Sequence, residues 1–280
     1  MSDKAPQTHA GRAAIVTGGA RGLGEVMTLA LAKAGAKVLI VGRDRAALEE
    51  CSRVANVDGE ARTFAADLTE DDACLAAVDE ALAHFGRLDI LINNAGTTIE
   101  LMRRQNGGSP PTYENIRPDE FRHIMDVNTV SPFFMSRAAI PAMRKNGWGR
   151  IVNITTSLDT MWRKGLIPYG GSKAANEANC VALAEELIGT GVTVNVLTPG
   201  GPADTRMIAN TGPRDKLIPP GKMIAPMLWL TSTESDGVTA KRFIAARWDE
   251  AVPPAIAMRA AGAPAAWQSL GAQAVYPEDS

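Results

Sequence analysis

Tyr169 and Lys173 lie four residues apart in the run YGGSK, and this pairing can perform proton chemistry. At the start of a predicted helix that runs to about Ile188, the spacing places the phenol and the ammonium on one helix face. A phenol whose pKa is about 10 is a poor acid or base at neutral pH. Because a neighbouring ammonium favours the phenolate, we predict that Lys173 lowers the pKa of Tyr169 into the working range for proton transfer.

A glycine-rich segment, TGGARGLG at residues 17–24, follows a predicted strand and leads directly into a predicted helix. Glycines in this context let the backbone turn tightly and approach a pyrophosphate, whose charge then lies at the positive N-terminal end of the helix. A tight turn without a ligand would use the same residues, so the segment needs support from elsewhere in the chain. The residues that we predict to bind a dinucleotide here are Gly18, Ala20, Arg21, Gly22, Leu23 and Gly24.

These two motifs together resemble the short-chain dehydrogenase/reductase family, with Tyr169 about 150 residues after the glycines. Further segments match the family in its order: ADL at 66–68, NNAG at 93–96 and PG at 199–200. The resemblance extends over residues 12 to roughly 246. It implies an oxidoreductase that transfers a hydride between a nicotinamide cofactor and a carbonyl or secondary alcohol substrate.

The resemblance also assigns roles to single residues. It implies that the Tyr169 hydroxyl exchanges a proton with the substrate oxygen and that Lys173 also binds the nicotinamide ribose hydroxyls. Asn128 matches the family's asparagine of the helix before the fifth strand, whose amide would hold a water that links Lys173 to solvent. Thr205 would contact the nicotinamide carboxamide, although it lies one residue later than usual. The remaining cofactor contacts that the resemblance implies are Asp67 and Leu68 at the adenine, Asn94, Ala95 and Gly96 at the adenosine ribose, and Pro199 and Gly200 at the nicotinamide.

A hydroxyl at the end of the fifth predicted strand should donate to the substrate carbonyl. The run ITTS at 154–157 offers two candidates. Strand register and the family's usual thirteen-residue step to the tyrosine point to Thr156. A loop one residue shorter would bring in Ser157, which we prefer because the family favours serine here.

The end of the second predicted strand bears on the choice between NAD and NADP. A carboxylate there would bind the ribose 2′-hydroxyl and repel a 2′-phosphate, but this chain has Gly42. Arg43 and Arg21 would instead flank a 2′-phosphate with charge-assisted hydrogen bonds. We therefore predict NADP rather than NAD, although Asp44 would offset part of the field of Arg43.

The elements that must position these residues follow from an alternation of short apolar runs with longer amphipathic stretches. This pattern predicts an α/β fold with a doubly wound parallel sheet, Rossmann-like, of about seven strands with helices on both faces. We expect residues 1–280 to form a single dinucleotide-binding domain with its core at 12–246. Pro118 should open the long helix before the fifth strand, and Pro132 should kink or interrupt it. The predicted strands are Ala13–Thr17, Lys37–Val41, Arg62–Ala66, Leu88–Asn93, Arg150–Thr155, Val192–Leu197 and Arg242–Ala246.

Two segments depart from the alternation. Residues 97–117, with the run QNGGSPP, predict a surface loop or insertion. The tail at about 250–280, rich in Ala and Pro, would dock on the domain or on a neighbouring subunit. We expect the insertion, Leu158–Leu166 and Arg206–Lys222 to line the substrate pocket, with an apolar side formed by Met161, Trp162, Met207 and Ile208.

Composition excludes several classes of protein. A formal net charge of -2, without basic runs interleaved with aromatics, argues against a nucleic-acid partner. The N-terminal residues lack the apolar stretch of a signal peptide, and no run of roughly eighteen apolar residues occurs, so we predict a cytoplasmic protein without membrane association. The 3 cysteines follow no metal-ligand spacing, which predicts reduced thiols and no metal site.

Two other functions would use the same fold. A catalytically silent NADP-binding sensor or scaffold is the first, and the intact Tyr169/Lys173 pair argues against it. An epimerase or dehydratase that uses the cofactor without net turnover is the second, and the chain is short for it. The resemblance further implies a homo-oligomer, a tetramer or a dimer, acting on a small-molecule carbonyl or alcohol that the sequence does not identify.

Overall fold

A computed structural model describes residues 7–105, 107–205, 207 and 213–270. Within this part of the chain eight strands form one sheet in the order β3-β2-β1-β4-β5-β6-β7-β8. Neighbours from β3 to β7 are parallel, and β8 joins β7 antiparallel. The strands are β1 (Ala13–Thr17), β2 (Lys37–Gly42), β3 (Glu60–Ala65), β4 (Ile90–Asn93), β5 (Gly149–Ile154), β6 (Val192–Thr198), β7 (Lys241–Ile244) and β8 (Gly262–Pro264).

The predicted α/β class with a mostly parallel sheet is confirmed, and the seven predicted strands correspond to β1–β7 with ends shifted by at most two residues. Every residue of β1, β4, β5 and β6 is buried. Strands covered on both faces favour continuous apolar runs over alternation, which is why the sequence pattern located them.

Helices cover both faces of the sheet. One face packs α1, α2, α9 and α10 through residues such as Met27, Met227 and Ala257, and the other packs α3, α6 and α8 through Ala77 and Met135. Among the described residues, no helix has the length and apolar character needed to cross a membrane. The helices are α1 (Gly22–Lys33), α2 (Arg45–Ala55), α3 (Ala73–Phe85), α4 (Glu100–Gln105), α5 (Pro118–Met125), α6 (Ser131–Lys145), α7 (Leu158–Met161), α8 (Tyr169–Glu186), α9 (Ile224–Leu230) and α10 (Pro254–Ala261).

The helix before β5 is interrupted, as Pro132 predicted. Helix α5 begins at Pro118, a π-helical segment follows at Asp126–Val130, and α6 starts at Ser131 with Pro132 in its first turn. Proline has no N–H to donate to the preceding turn of the helix. The helical hydrogen bonds therefore change from the α to the π pattern just before it. The interruption places Asn128 inside the π-helical segment.

The C-terminal tail supplies the strand that the prediction of about seven strands lacked. Residues 262–264 pair with β7, and Ala265, directly after them, is fully buried. Of the two docking partners predicted for the tail, residues 254–270 contact their own domain. An antiparallel edge strand of three residues carries too little periodicity to be recognised in the sequence.

The predicted insertion at 97–117 is also more ordered than a surface loop. It contains α4 and a 3₁₀ turn at Tyr113–Asn115. Ile99 and Met102 are buried and form a small apolar cluster with Ile124, which partly buried Tyr169 packs against. The insertion therefore forms a wall beside the tyrosine.

The order of the sheet fixes where a site can form. The chain runs outward in one direction from β1 through β2 to β3 and then returns to β4 on the other side of β1. Ligands of such sheets bind in the crevice at the carboxyl ends of the strands where the order reverses. The segments after β1, β4, β5 and β6 meet at this crevice.

Candidate active site

The glycine-rich turn joins β1 directly to α1. Gly18 and Gly22 have φ of 60 and 56°, the left-handed region that favours glycine. A Cβ on Gly24 would lie 2.1 Å from the Gly18 carbonyl oxygen, so the first turn of α1 lies against the loop only because that side chain is absent. The N–H groups that begin a helix have no acceptor within it, and here they lie at the crevice.

The segment after β4 fastens this turn to the sheet. The Asn94 side-chain amide donates to the carbonyl oxygens of Thr17 and Gly18 at 3.0 and 3.1 Å. The backbone N–H groups of Asn94 and Ala95 both donate to the Thr17 hydroxyl at 3.0 Å. These bonds hold the carboxyl ends of β1 and β4 together, so the turn is rigid at its base.

Tyr169 and Lys173 lie on one face of α8, at the end of the same cleft. The Tyr169 hydroxyl lies beside the Thr156 side chain. The Lys173 ammonium donates to the Ile154 carbonyl oxygen at 3.0 Å and is buried. The cleft has a volume of about 1170 Å³, and its lining includes the predicted residues Gly18, Ala20, Arg21, Gly22, Leu23, Asn94, Ala95, Gly96, Thr156, Ser157, Tyr169, Lys173, Pro199, Gly200 and Thr205.

The predicted lowering of the Tyr169 pKa is wrong for this structure. Burial of the phenol raises its pKa, and the hydrogen bond with Thr156 opposes this only in part. Desolvation also lowers the pKa of Lys173 to about 8. Burial disfavours the charged form of both groups, an effect that spacing along a helix does not reveal.

The two candidate hydroxyls after β5 have different surroundings. Thr156 contacts Tyr169, whereas the Ser157 hydroxyl lies 2.7 Å from that of Thr160 and stands at the start of α7. Both residues line the cleft, and the position of Thr156 beside Tyr169 favours Thr156 over Ser157 as the candidate donor.

Asn128 is fully buried in the π-helical segment, beside Gly96 and Lys173. Its amide donates to the Thr97 carbonyl oxygen and to the Ser172 hydroxyl, each at 2.9 Å. Its side-chain oxygen accepts from the Thr97 N–H at 2.9 Å. Both amide hydrogens thus have protein partners, and Asn128 ties the segment after β4 to the first turn of α8.

At the far end of the cleft, the two arginines predicted to select NADP each meet a carboxylate. Arg21 pairs with Asp44, and Arg43 lies 3.3 Å from Asp67. Asp67 also accepts hydrogen bonds from the N–H and the hydroxyl of Thr69. Burial alone would raise the pKa of Asp67, but these two bonds and the neighbouring Arg43 together hold that pKa below its usual range. Arg21 lines the cleft; the predicted residues outside its lining are Gly24, Arg43, Asp67, Leu68 and Asn128.

The segment after β6 closes the cleft on the other side. Gly200 has φ of 99°, and a Cβ there would lie 2.7 Å from the Ile244 side chain. Thr205 lies against the glycine-rich turn, because a Cβ on Gly22 would be 3.1 Å from the Thr205 methyl group. Thr205 therefore borders the cleft next to the start of α1.

Two of the four residues predicted to form an apolar side of the substrate pocket lie outside the cleft lining. Met161 is buried in α7 and Trp162 is exposed, and neither belongs to the cleft lining. Met207 does line the cleft, and Ile208 lies outside the described residues. The mouth instead carries three ion pairs: Arg163 with Asp159, Arg103 with Glu100, and Arg214 with Asp204.

Sequence reasoning missed two residues that bind the segment after β5, Glu177 and Arg242. Thr155 donates to the buried carboxylate of Glu177 at 3.1 Å. Arg242 donates to the same carboxylate at 3.0 Å and to the Thr156 carbonyl oxygen at 2.8 Å. The available signal was the position of Glu177, four residues after Lys173. This spacing places Tyr169, Lys173 and Glu177 on one helix face.

Comparisons with known proteins agree with this geometry. The family model for short chain dehydrogenase matches residues 12–216. The chain is 34% identical over 208 residues to the ketoacyl reductase HetN of Nostoc sp., covering 73% of this chain and 68% of that protein. A structure of a putative short chain dehydrogenase from Pseudomonas syringae superposes with a TM-score of 0.77 at 28% identity, covering 88% of this chain and 100% of that one. A 3-oxoacyl (acyl-carrier-protein) reductase from Agrobacterium tumefaciens with NADP bound gives 0.74 at 25% identity, covering 85% and 94%.

Proposed function

Because this chain belongs to the short-chain dehydrogenase family, we propose that it is an NADP-dependent oxidoreductase that interconverts a carbonyl compound and an alcohol through Tyr169 and Lys173. One observation carries the proposal: the Tyr169 hydroxyl, the Thr156 hydroxyl and the Lys173 ammonium converge at one end of a cleft whose other end is the glycine-rich turn. The catalytic function thus rests on the proximity of a proton donor to a nucleotide cradle.

The residues present fit a dinucleotide. The start of α1 faces the cleft through glycines that no side chain could replace, and such a site favours a pyrophosphate. The segment at Asn94, Ala95 and Gly96 would contact the adenosine ribose, and Pro199 and Gly200 would contact the nicotinamide. When bound, a nicotinamide cofactor supplies or accepts the hydride of the reaction.

Tyr169 is the proposed acid and base. Its raised pKa keeps the phenol protonated at neutral pH, so it can donate to the substrate oxygen as that oxygen gains negative charge. Thr156 supplies a second hydrogen-bond donor to the same oxygen. Lys173 uses one N–H on Ile154, which leaves two for the nicotinamide ribose hydroxyls. Asn128 holds the start of α8 in place, and its side-chain oxygen, which accepts one bond from Thr97, has a second lone pair for the proposed water between Lys173 and solvent.

The direct test monitors NADPH by its absorbance. Its consumption is measured with a panel of acetoacetyl-CoA, simple aryl ketones and short aliphatic ketones. The reverse reaction, reduction of NADP, is measured with the matching alcohols. The panel includes a 3-oxoacyl thioester because two of the relatives are named ketoacyl reductases. We expect turnover with at least one compound. No turnover with any of them, despite binding of NADPH, would favour a catalytically silent protein.

Selection of NADP is proposed to come from Arg21 and Arg43. Their carboxylate partners, Asp44 and Asp67, form exposed or half-exposed ion pairs with them, and such pairs contribute little stability. A 2′-phosphate with nearly two charges can therefore compete for both guanidinium groups. The NADP bound to the structural relative from Agrobacterium tumefaciens supports this choice.

We predict that NADPH raises the melting temperature more than NADH at equal concentration. Arg43→Ala should weaken NADPH binding about tenfold, since a charge-assisted hydrogen bond contributes about 1.5 kcal/mol or more. NADH binding should change by less than about twofold, because the 2′-hydroxyl makes no ion pair.

The matched control for Arg43→Ala is Arg53→Ala. Arg53 is an exposed arginine of α2 that also pairs with a carboxylate, that of Glu50. It should leave both affinities unchanged. Equal melting shifts for NADPH and NADH in the unmodified protein would contradict the assignment of Arg21 and Arg43.

We also propose that the protein is a homo-oligomer, a dimer or tetramer. Phe133 and Phe134, in contact at 5.3 Å between ring centres, are both substantially exposed on α6, as is Phe121 on α5. Clustered exposed aromatics are typical of a surface that another chain covers. Light scattering should give a multiple of 29.6 kDa, and Phe133→Asp should shift the mass toward the monomer. A monomeric mass for the unmodified protein rejects the proposal.

The cytoplasm is the proposed location. The thiols of Cys51, Cys74 and Cys180 are free and buried. Burial raises the pKa of Cys51 and of Cys74 to about 11, which keeps both thiols protonated. Free thiols are usual in a reducing compartment.

A further inference from the structure

Three side chains of α8 hold three successive residues, 154–156, at the carboxyl end of β5. Tyr169, Lys173 and Glu177 are spaced by four residues and therefore share one face of the helix. Lys173 binds the carbonyl oxygen of residue 154, Glu177 accepts from the hydroxyl of residue 155, and Tyr169 contacts the side chain of residue 156. Of these three side chains, only that of Glu177 has no part in the proposed reaction.

Both carboxylate oxygens of Glu177 accept hydrogen bonds. Its Oε1 accepts from Arg242 Nε at 3.0 Å and from the Ala266 N–H at 2.9 Å, and its Oε2 accepts from Thr155 at 3.1 Å. The carboxylate is fully buried and Arg242 nearly so. A buried ion pair often contributes little net stability, because desolvation offsets its attraction. The pair therefore calls for an explanation other than stability.

Arg242 supplies that explanation through its second contact. While Nε binds Glu177, Nη2 donates to the Thr156 carbonyl oxygen at 2.8 Å. The planar guanidinium thus fixes the backbone of the residue whose side chain meets Tyr169, and it does so from β7. An ammonium has no such fixed, planar fork of donors.

We propose that Glu177 and Arg242 are positioning residues that hold Thr156 beside Tyr169, so that both hydroxyls can donate to the same substrate oxygen. The inference rests on the proposed function and adds to it two charged residues that touch neither substrate nor cofactor. Displacement of a catalytic group by about 1 Å can lower a rate about 100-fold. The bond from Ala266, two residues after β8, makes the C-terminal strand part of the same support.

The test compares Arg242→Lys with a matched control, Arg150→Lys. Arg150 is equally buried, binds backbone carbonyls and a carboxylate, and lies in β5 itself, but at the end roughly 20 Å from Thr156. Both variants keep the positive charge and lose the fork of donors. A loss caused by general destabilisation should appear in both, and a loss of positioning only in Arg242→Lys.

Two readouts are measured well below the melting temperature of each variant. The first is kcat and KM with NADPH and the best ketone of the panel, for which Arg242→Lys should lower kcat about tenfold and leave the KM for NADPH within about twofold. The second, which needs no substrate, is hydrogen exchange at the Thr155 N–H, which donates to Leu197. Its exchange should accelerate at least about fivefold in Arg242→Lys and not in Arg150→Lys.

If Arg242→Lys does not fold, Thr155→Val serves instead, because it removes only the hydroxyl that Glu177 accepts; we then expect kcat to fall about threefold. A kcat within about twofold of the unmodified protein, an unchanged exchange rate at Thr155, or an equal loss in Arg150→Lys overturns the proposal. Absence of turnover in the unmodified protein contradicts the proposed function, and the exchange measurement then decides on positioning alone.

Discussion

Tyr169→Phe is expected to lower kcat about 1000-fold with the best substrate of the panel, because general acid catalysis typically contributes between about 100-fold and 10,000-fold. The substitution removes one oxygen atom and keeps the ring that packs against Ile99, Met102 and Ile124. The fold and the nucleotide cradle should therefore persist. NADPH consumption measures the loss, and the melting shift caused by NADPH, expected to be unchanged, shows that the cofactor still binds.

Tyr113→Phe is the control for this prediction. Tyr113 is an exposed tyrosine of the same insertion wall that packs against Tyr169, so its variant tests the chemistry of the substitution at a site without a proposed role. It should retain full activity. A Tyr169→Phe variant with more than about a tenth of the original kcat would show that another group transfers the proton.

The parts of the site that the sequence predicted well are those fixed by local geometry. The glycines at 18, 22 and 24 sit in one turn, and the need for left-handed backbone or close approach can be inferred from their spacing. Tyr169 and Lys173 share a face because four residues make about one helical turn. Continuous burial of the central strands likewise leaves its trace in short apolar runs.

The parts that were missed depend on contacts between distant segments. Arg242 and Glu177 are 65 residues apart, and each alone resembles an ordinary surface charge until the sheet brings β7 beside β6. The direction of the pKa shift at Tyr169 depends on how deeply the insertion and α8 bury the phenol, which no spacing reports. The edge strand β8 is similarly defined by its partner and not by its own three residues.

The choice between Thr156 and Ser157 depends partly on local strand geometry and partly on contacts that the sequence does not reveal. Counting along the strand gave Thr156, but the length of the loop after β5 decided whether the count could be trusted. The structure shows Ser157 starting a short helix and pairing with Thr160, which fixes that length. A helix of four residues with one polar turn has too weak a sequence pattern to have been predicted.

Thr156→Val should lower kcat about 100-fold if, as proposed, the Thr156 hydroxyl donates to the oxygen that becomes negative during the reaction. Loss of one such donor typically raises the barrier by about 3 kcal/mol. The methyl that replaces the hydroxyl has nearly the same volume, so the KM for NADPH should change by less than about twofold. Steady-state kinetics with the same ketone as for Tyr169→Phe provides the measurement.

Two further variants, Thr156→Ser and Ser157→Ala, test which of the two hydroxyls donates to the substrate. Thr156→Ser keeps the hydroxyl and loses only a methyl group, so it should recover most of the activity that Thr156→Val lacks. Ser157→Ala removes a hydroxyl already engaged with Thr160 and should lower kcat by less than about threefold, a loss of the size expected from a slightly looser α7. If Ser157→Ala instead loses more activity than Thr156→Val, the donor to the substrate is Ser157, and the hydrogen bond between Thr156 and Tyr169 has no catalytic role.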